Sequence, residues 1–252
     1  MHELFGTKHL ILIAISAVLI VGLYFVARRF KFATVAKTLF CVGIVSEVVK
    51  IFYYIVANEE KFGGVLPKTD LPFHLCSIQI IFISVVVLAK SESLKRFIIS
   101  FMVPSCLFGG IAAIIIATDS SRNSNIITVQ YFLYHIAITV FALYVLTGKE
   151  YKLDIKDYFN CLKFLLIVMF FAIYINSMLS DGVKNTNFMY VVDPPQKGLP
   201  YLNKDNGWLS YILRYAGLIL VCVSLCYIKP IINAVKGFIQ KRKTAVKENG
   251  EN

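Results

Sequence analysis

The sequence predicts an all-α fold, a polytopic membrane helical bundle of about seven transmembrane helices with the N-terminus outside and the C-terminus inside. The first observation is composition, because the 252 residues are 58% hydrophobic and only 16% charged, with a mean hydropathy of +0.70. The second is that several apolar runs approach the roughly 20 residues needed to cross a bilayer. A soluble domain of this size would carry more charge and shorter apolar runs.

Seven apolar runs are candidates for membrane spans. The first is long for the apolar part of a signal peptide and is followed, not preceded, by Arg28-Arg29, so we expect it to be retained. The longest connection, residues 180–207, contains Pro194, Pro195 and Pro200 and is expected to be stiff and rich in turns. The runs cover residues 9–27, 38–57, 71–89, 96–117, 127–147, 158–179 and 208–228.

The basic residues are distributed unequally between the two sides of such a bundle. The first, third and fifth connections and the C-terminal tail hold sixteen Lys and Arg residues, whereas the N-terminus and the other connections hold seven. This bias predicts the orientation stated above and accounts for the net charge of +11 without nucleic-acid binding. We expect one integral membrane domain over residues 1–240 and a polar, disordered cytoplasmic tail over residues 241–252.

Polar side chains inside the predicted spans concentrate in the outer half of the bilayer. A helix rises about 1.5 Å per residue, which converts position in a span into depth. Charged groups facing lipid would each cost about 3 kcal/mol, so we expect these side chains to turn inward and share one outward-facing polar cavity. The six residues are Glu47, Lys50, Cys76, His135, Asn176 and Arg214.

Cys76 is the strongest candidate nucleophile. If the third span begins near Leu71, Cys76 lies in its first turn, where Thr69 or Asp70 caps the helix and Pro72 is well tolerated. Free backbone amides and the helix dipole at such a position favour a thiolate, and they can also hold an oxyanion. The alternative is that Cys76 is a small packing residue.

The two membrane histidines have different expected roles. His74 is two residues from Cys76, and such neighbours do not face each other on a regular helix, so it is the weaker base and the better substrate ligand. His135 comes from another helix at similar depth and is the better partner for the thiol. The alternatives are a satisfied interfacial histidine and a structural interhelical hydrogen bond.

Three further charged side chains each allow two interpretations. Glu47 and Lys50 are three residues apart and share a helix face, which indicates either a self-neutralising pair or part of a binding site. Arg214 either joins this pair or binds a phosphate, which its planar guanidinium suits. The spacing of His74, Cys76 and His135 matches no strong zinc signature, so we expect neither a metal nor a cofactor.

The stretch Leu71-Pro72-Phe73-His74-Leu75-Cys76-Ser77 resembles the YwaF-like integral membrane family, which is grouped with transmembrane protein 164 of animals. The counterparts of a later histidine and of an Asn-rich loop before the last span are His135 and residues 185–190. The animal relative is regarded as a cysteine-dependent acyltransferase acting on ether lysophospholipids. The resemblance therefore implies acyl transfer with Cys76 as nucleophile and His135 as base.

We therefore expect a multi-pass protein of the cell membrane that acts on a membrane phospholipid or lysophospholipid at the outer leaflet. It would be an intramembrane lipid acyltransferase or lipid ester hydrolase with a cysteine nucleophile. The alternatives are a membrane transporter or small-solute binding protein that uses the outward-facing polar cavity, and a structural partner in a larger complex. Cys76 and His135 are the expected catalytic residues, and the expected substrate-binding residues are His74, Gln79, Arg214, Lys50, Glu47 and Asn187.

Overall fold

The computed structural model describes residues 4–117, 124–148, 150–181, 185–195, 199 and 201–250, with side chains to residue 242. Its described residues form nine α-helices and no strand, in agreement with the predicted all-α bundle. Four of the basic residues counted for orientation, Arg122, Lys149, Lys184 and Lys197, lie outside these ranges, as does Pro200. The helices are α1 (Thr7–Ala27), α2 (Phe32–Ile51), α3 (Glu59–Phe62), α4 (Gln79–Leu88), α5 (Glu92–Ile115), α6 (Asn125–Thr147), α7 (Ile155–Leu179), α8 (Gly207–Cys226) and α9 (Ile228–Gly250).

Six of these helices are long and apolar enough to cross a membrane: α1, α2, α5, α6, α7 and α8. In α2 the span continues through a π-helical turn over Phe52–Ala57. The third predicted span is different, since its helix α4 has only ten residues. At about 1.5 Å per residue, α4 covers roughly half of a hydrocarbon core about 30 Å thick.

The expectation that a helix begins near Leu71 is wrong. Residues 71–78 form a series of turns, and the regular helix begins at Gln79, three residues after Cys76. Leu71 adopts the extended conformation that a residue before proline prefers, and Pro72 has no N–H to donate. The first i to i+4 bond joins the amide of Ile78 to the carbonyl of His74 at 2.9 Å.

Contacts at opposite ends of α7 show that this irregular segment and α4 together extend along that helix, as a seventh crossing would require. Lys68 forms an ion pair of 3.1 Å with Asp181, just beyond the C-terminus of α7. Arg96, near the start of α5, donates to Asp157 in the first turn of α7 at 2.7 Å. Residues 69–91 therefore run the length of α7, and their side of the membrane remains a prediction from the charge pattern.

Helices α5 and α6 form the centre of the bundle, since most residues in both of their apolar windows are buried. Gly110 of α5 allows the close approach, because a Cβ there would collide with the hydroxyl of Thr139 and lie 3.1 Å from the carbonyl of His135. Around this pair, α2, α4, α7 and α8 pack their inward faces, while α1 packs along α6. The central pair thus holds the elements that carry the candidate site.

Helix α9 is an element that the sequence prediction did not include. It follows α8 after the single residue Tyr227, whose buried hydroxyl donates to the carbonyl of Ser100 in α5 at 2.8 Å. The backbone of α9 is helical to Gly250. The expected disorder of residues 241–252 remains a prediction.

Candidate functional site

Cys76 lies on the irregular segment 71–78, partly buried against α5 and α6. Its backbone carbonyl accepts a hydrogen bond from the Tyr134 hydroxyl at 2.7 Å and another from the backbone N–H of Gln79 at 3.2 Å. Its sulfur lies 4.0 Å from the hydroxyl of Ser77. The backbone at Cys76 is therefore fixed both by the start of α4 and by a side chain of α6.

The loop between α7 and α8 covers this segment on another side. The ring of His74 contacts the rings of Phe188 and Tyr190, with centroids 5.0 and 5.9 Å apart. The Tyr190 phenol also lies close enough to Cys76 to interact with its charge, and burial raises the pKa of Tyr190 to about 12. Tyr190 is thus a neutral hydrogen-bonding group beside the thiol over the whole physiological pH range.

Two asparagines hold this loop in place. The side-chain amide of Asn176, in α7, donates to the carbonyl of Phe188 at 3.0 Å, and its oxygen accepts from the backbone N–H of Phe188 at 2.8 Å. Asn187 donates to the carbonyl of Asp193 and accepts from the amides of Val192 and Asp193. The structure therefore places Asn187, an expected substrate ligand, within the hydrogen bonds of its own loop.

The backbone of the loop is strained where it faces the site. Met189 and Tyr190 have φ angles of 55° and 53°, a region that side chains other than glycine rarely adopt. Hydroxyls of α8 hold the strained carbonyls, since Tyr215 donates to Met189 at 2.9 Å and Tyr211 donates to Tyr190. Such conformations cost about 1–3 kcal/mol each and concentrate at functional sites.

A buried ion pair on α2 supplies charge to the site. Lys50 donates to Glu47 at 2.8 Å, and their side chains are only 10% and 19% exposed. The Lys50 charge also acts on Asp70, His74 and Cys76. The pair is therefore self-neutralising and part of the Cys76 surroundings at once, which joins the two alternatives left open by the sequence.

Asp70 adds a second carboxyl group to this charge cluster. The Asp70 carboxyl interacts with the positive charge of Lys50 and accepts hydrogen bonds from the Tyr54 and Thr69 hydroxyls. The Lys50 ammonium therefore forms an ion pair with Glu47 and also attracts the Asp70 carboxyl. We define Glu47, Lys50, Tyr54 and Asp70 as the charge cluster.

Gln79 opens α4 and is completely buried. Its amide nitrogen donates to the carbonyl of Leu75 at 2.8 Å and to the hydroxyl of Ser105 at 3.0 Å. Its oxygen has no hydrogen-bond partner among the described residues. A buried acceptor in this state can take a donor from a water molecule or a ligand.

His135 is buried in α6, and its Nδ1 lies 2.6 Å from the carbonyl of Tyr131. Because a carbonyl only accepts, Nδ1 carries the proton and Nε2 is the lone-pair nitrogen of the neutral ring. Nε2 is buried and makes no hydrogen bond to any described residue. His135 adjoins Tyr134, which contacts Cys76, but among the described residues no hydrogen bond joins His135 to Cys76.

The expected single polar cavity is divided into separate sets of contacts. Arg214 donates to the carbonyl of Tyr201 at 3.0 Å and to the carbonyl and side chain of Asn203, so its guanidinium anchors the start of α8 to the preceding loop. Asn176 holds Phe188, and His135 faces Tyr131. The charge cluster and Cys76 are the parts that the structure brings together.

Comparison with models of protein families shows which family the chain belongs to. The model of the TMEM164 family matches residues 4–227, from α1 to the end of α8. The chain belongs to the TMEM164 family. No curated protein and no solved structure shows significant similarity to it.

The TMEM164-family match covers every residue of the site just described and ends before α9. Together with six span-length apolar helices, it makes the chain a multi-pass membrane protein. Within the ranges that the structure describes, no three His, Cys, Asp or Glu side chains form a group suited to a metal ion.

Sequence reasoning did not select several residues of this TMEM164-family site. Tyr134 directly precedes His135, and nothing in the sequence indicates that this tyrosine contacts Cys76. Tyr190 lies in the loop but was not distinguished from its neighbours, because the left-handed backbone that directs it is invisible in composition. Asp70 was considered only as a helix cap, since the segment after it was expected to be helical.

Proposed function

We propose that this protein transfers or hydrolyses the acyl group of a membrane lipid ester, with Cys76 as the nucleophile. The observation that carries the proposal is that Cys76 accepts a hydrogen bond from Tyr134 through its carbonyl and lies within electrostatic range of the Lys50 ammonium and the Tyr190 phenol. Nucleophilic cysteines lie in partly accessible surroundings where a positive charge favours the thiolate. The resemblance of this chain to transmembrane protein 164 of animals, which is regarded as a cysteine-dependent acyltransferase, points to the same chemistry.

In this proposal Lys50, and not a helix N-terminus as the sequence suggested, supplies the positive charge that favours the Cys76 thiolate. Because α4 begins after Cys76, the amides of its first turn are not arranged around the thiol as expected. The Lys50 charge, which acts on both Cys76 and His74, supplies positive potential in their place. A fixed cation beside a developing negative charge is the electrostatic stabilisation that acyl transfer needs.

His135 is the proposed base. Its Nδ1–H bond to the Tyr131 carbonyl fixes the tautomer in which Nε2 holds a lone pair, and that nitrogen has no donor among the described residues. The Tyr134 contact brings the preceding residue of α6 to the Cys76 carbonyl. The proposal requires Nε2 to reach the thiol in the substrate complex, since catalytic hydrogen bonds are often formed only there.

The proposed reaction has two steps, acylation of Cys76 and deacylation of the thioester. In the first, the Cys76 sulfur bonds to the acyl carbon, the ester C–O bond breaks, and the thiol proton passes through the base to the released lysolipid oxygen. In the second, a lysophospholipid hydroxyl or a water molecule attacks the thioester, its proton goes to the base, and the sulfur leaves and regains that proton. The acceptor decides between acyltransferase and hydrolase.

Acyl labelling tests the nucleophile. The full-length protein in detergent is treated with a long-chain p-nitrophenyl ester, and hydroxylamine-labile adducts are located by mass spectrometry. We expect an acyl group on Cys76 and none in Cys76→Ala, while Cys41→Ala, which removes an exposed cysteine of α2, labels like the wild type. Labelling of Cys76→Ala at the wild-type rate would exclude Cys76 as the nucleophile.

Two histidine variants identify the base. His135→Gln should slow the acylation of Cys76 by about 10²-fold or more, the usual loss for a general base. The irregular segment keeps His74 under consideration, although its Nε2 bonds the Thr69 carbonyl at 3.1 Å. If His74→Gln loses the rate and His135→Gln retains it, His74 is the base and the assignment of His135 fails.

A small-solute or transport function is the second candidate, and the charge cluster favours it. A buried ammonium paired with one carboxylate and attracted to a second carboxyl group is the kind of intramembrane site that binds ions or protons in transporters. Uptake into proteoliposomes that requires Glu47 and Lys50 but tolerates Cys76→Ala would support transport and contradict acyl transfer.

A further inference from the structure

Helix α9 has an apolar face that the rest of the protein leaves exposed. The residues of this face recur at spacings of three and four along about three turns, so they form one stripe on the helix. Each of them exposes about half of its side chain or more. They are Ile228, Ile232, Val235, Phe238 and Ile239.

Lysines flank this stripe on both sides of α9. Lys229 and Lys236, seven residues apart, lie along one flank, Lys241 lies on the other, and the sequence from Ile228 to Lys247 contains no acidic residue. Arg242 follows Phe238 by one turn, with its guanidinium 5.7 Å from the centre of the Phe238 ring. The aliphatic stem of such an arginine covers apolar surface while its charge reaches outward.

The start of α9 is fixed at one end of the membrane bundle. Only Tyr227 separates it from α8, and the buried Tyr227 side chain bonds the Ser100 carbonyl of α5. Ile231 in its first turn packs against the bundle core. Although α9 has 23 residues, it is not among the six helices that are apolar enough to span. Its apolar stripe therefore begins at the boundary where the spans end.

We propose that α9 lies along the bilayer surface and binds anionic phospholipid headgroups. Its apolar stripe would enter the headgroup and acyl-chain boundary, and its lysines would meet the negative surface, as in interfacial amphipathic helices. Each lysine or arginine near an anionic surface adds to the attraction. By the charge pattern this is the cytoplasmic leaflet. The proposal does not depend on the chemistry at Cys76.

The charge of α9 favours lipid over a second copy of the chain as the occupant. Two copies that paired through their stripes would bring two sets of lysines together, and the single carboxylate of α9, Glu248, lies in its last turn, beyond the stripe. An anionic bilayer satisfies the stripe and the lysines at once. It is also continuous with the lipid around α7 and α8, where the helix begins.

Hydrogen exchange of the full-length protein in nanodiscs tests the proposal. One set of nanodiscs contains phosphatidylcholine alone, and the other contains phosphatidylcholine with about 30% phosphatidylglycerol. We expect amides of residues 232–250 to exchange at least fivefold more slowly in the anionic discs at 50 mM salt. The difference should shrink at 0.5 M salt, where the Debye length falls to a few ångströms.

Two charge variants provide the matched comparison. The triple variant Lys229→Gln, Lys236→Gln, Lys241→Gln should lose the difference between the two nanodiscs. The control triple variant Lys31→Gln, Lys37→Gln, Lys90→Gln removes three exposed lysines at the same end of the bundle and should keep it. Equal exchange in both discs, or wild-type behaviour of the α9 triple variant, would overturn the proposal. Protection that depends on the number of copies per disc would assign the stripe to a second copy.

Discussion

The hydroxyl of Tyr134 donates a hydrogen bond of 2.7 Å to the backbone carbonyl of Cys76, across 58 residues of sequence. This bond joins the central helix α6 to the irregular segment that carries the thiol. Because the segment lacks the regular hydrogen bonds of a helix, an external donor is one of the few groups that hold its backbone. The position of the Cys76 sulfur therefore depends on α6.

Replacing Tyr134 by phenylalanine tests this dependence. Tyr134→Phe should lower the free energy of unfolding by about 1 kcal/mol, the usual net value of one hydrogen bond. It should also change the rate of Cys76 acylation, because the carbonyl of that residue is released. Tyr144→Phe is the matched control, since Tyr144 on the same helix makes a similar bond to the Phe30 carbonyl at 3.0 Å. Equal acylation rates in both variants would contradict a positioning role for Tyr134.

Lys50→Met should be among the most destabilising single changes in the charge cluster. It leaves the largely buried carboxylate of Glu47 without its cation and removes a positive charge that attracts Asp70, which predicts a loss of about 3 kcal/mol. Glu47→Gln should cost less, because Lys50 keeps its interaction with Asp70. Thermal unfolding in detergent measures both.

The ion pair between Lys95 and Glu92 provides a control for Lys50→Met. It has the same spacing and a length of 2.6 Å, but Glu92 is largely exposed. Lys95→Met should therefore cost at most about 1 kcal/mol. A loss as large as that of Lys50→Met would show that the burial of the Lys50 pair has no energetic consequence.

Asn176→Ala should loosen the loop that covers Cys76. It removes both side-chain bonds to Phe188 and leaves a buried N–H and carbonyl without partners, at a cost of about 2 kcal/mol. Hydrogen exchange should rise over the described loop residues 186–193. Asn58→Ala, which loses a single bond to the Tyr53 carbonyl outside this loop, should leave that exchange unchanged. Faster loop exchange in the Asn58 variant would indicate a general loss of stability instead.

Gly110→Ala should separate α5 from α6. The new methyl group would collide with the Thr139 hydroxyl and crowd the His135 carbonyl, and overpacking of this kind costs about 2 kcal/mol. Gly22→Ala, where no atom lies within 4 Å, should be neutral or slightly stabilising. Thermal midpoints of the two variants decide the matter, and a neutral Gly110→Ala would mean that the helix contact yields without strain.

Hydropathy predicted the long spans within a few residues but failed at the third. The run 71–89 is apolar throughout, and apolarity does not report which amides are hydrogen-bonded. Pro72 was taken as a proline of a first helical turn, although it also fits a turn that precedes a helix. The backbone conformation of Cys76 was therefore predicted wrongly, because the residue lies in turns before α4 and not in a first helical turn.

The candidate site was predictable where charge and spacing determine contact. Glu47 and Lys50 are three residues apart on a helix and form the predicted pair. Arg214 and Asn187 were assigned to a substrate, but their partners are carbonyls and amides of the adjacent loop. Every residue has these backbone groups, so no sequence pattern marks such partners in advance.

The ten residues of α4 also decide the parity of the chain in the membrane. A count of span-length helices alone gives six, an even number, which would put both ends of the bundle on one face of the bilayer. A composite crossing of turns followed by α4, as the sequence predicts, makes the number odd. Epitope or cysteine-accessibility mapping of α9 relative to the start of α1 therefore distinguishes seven crossings from six.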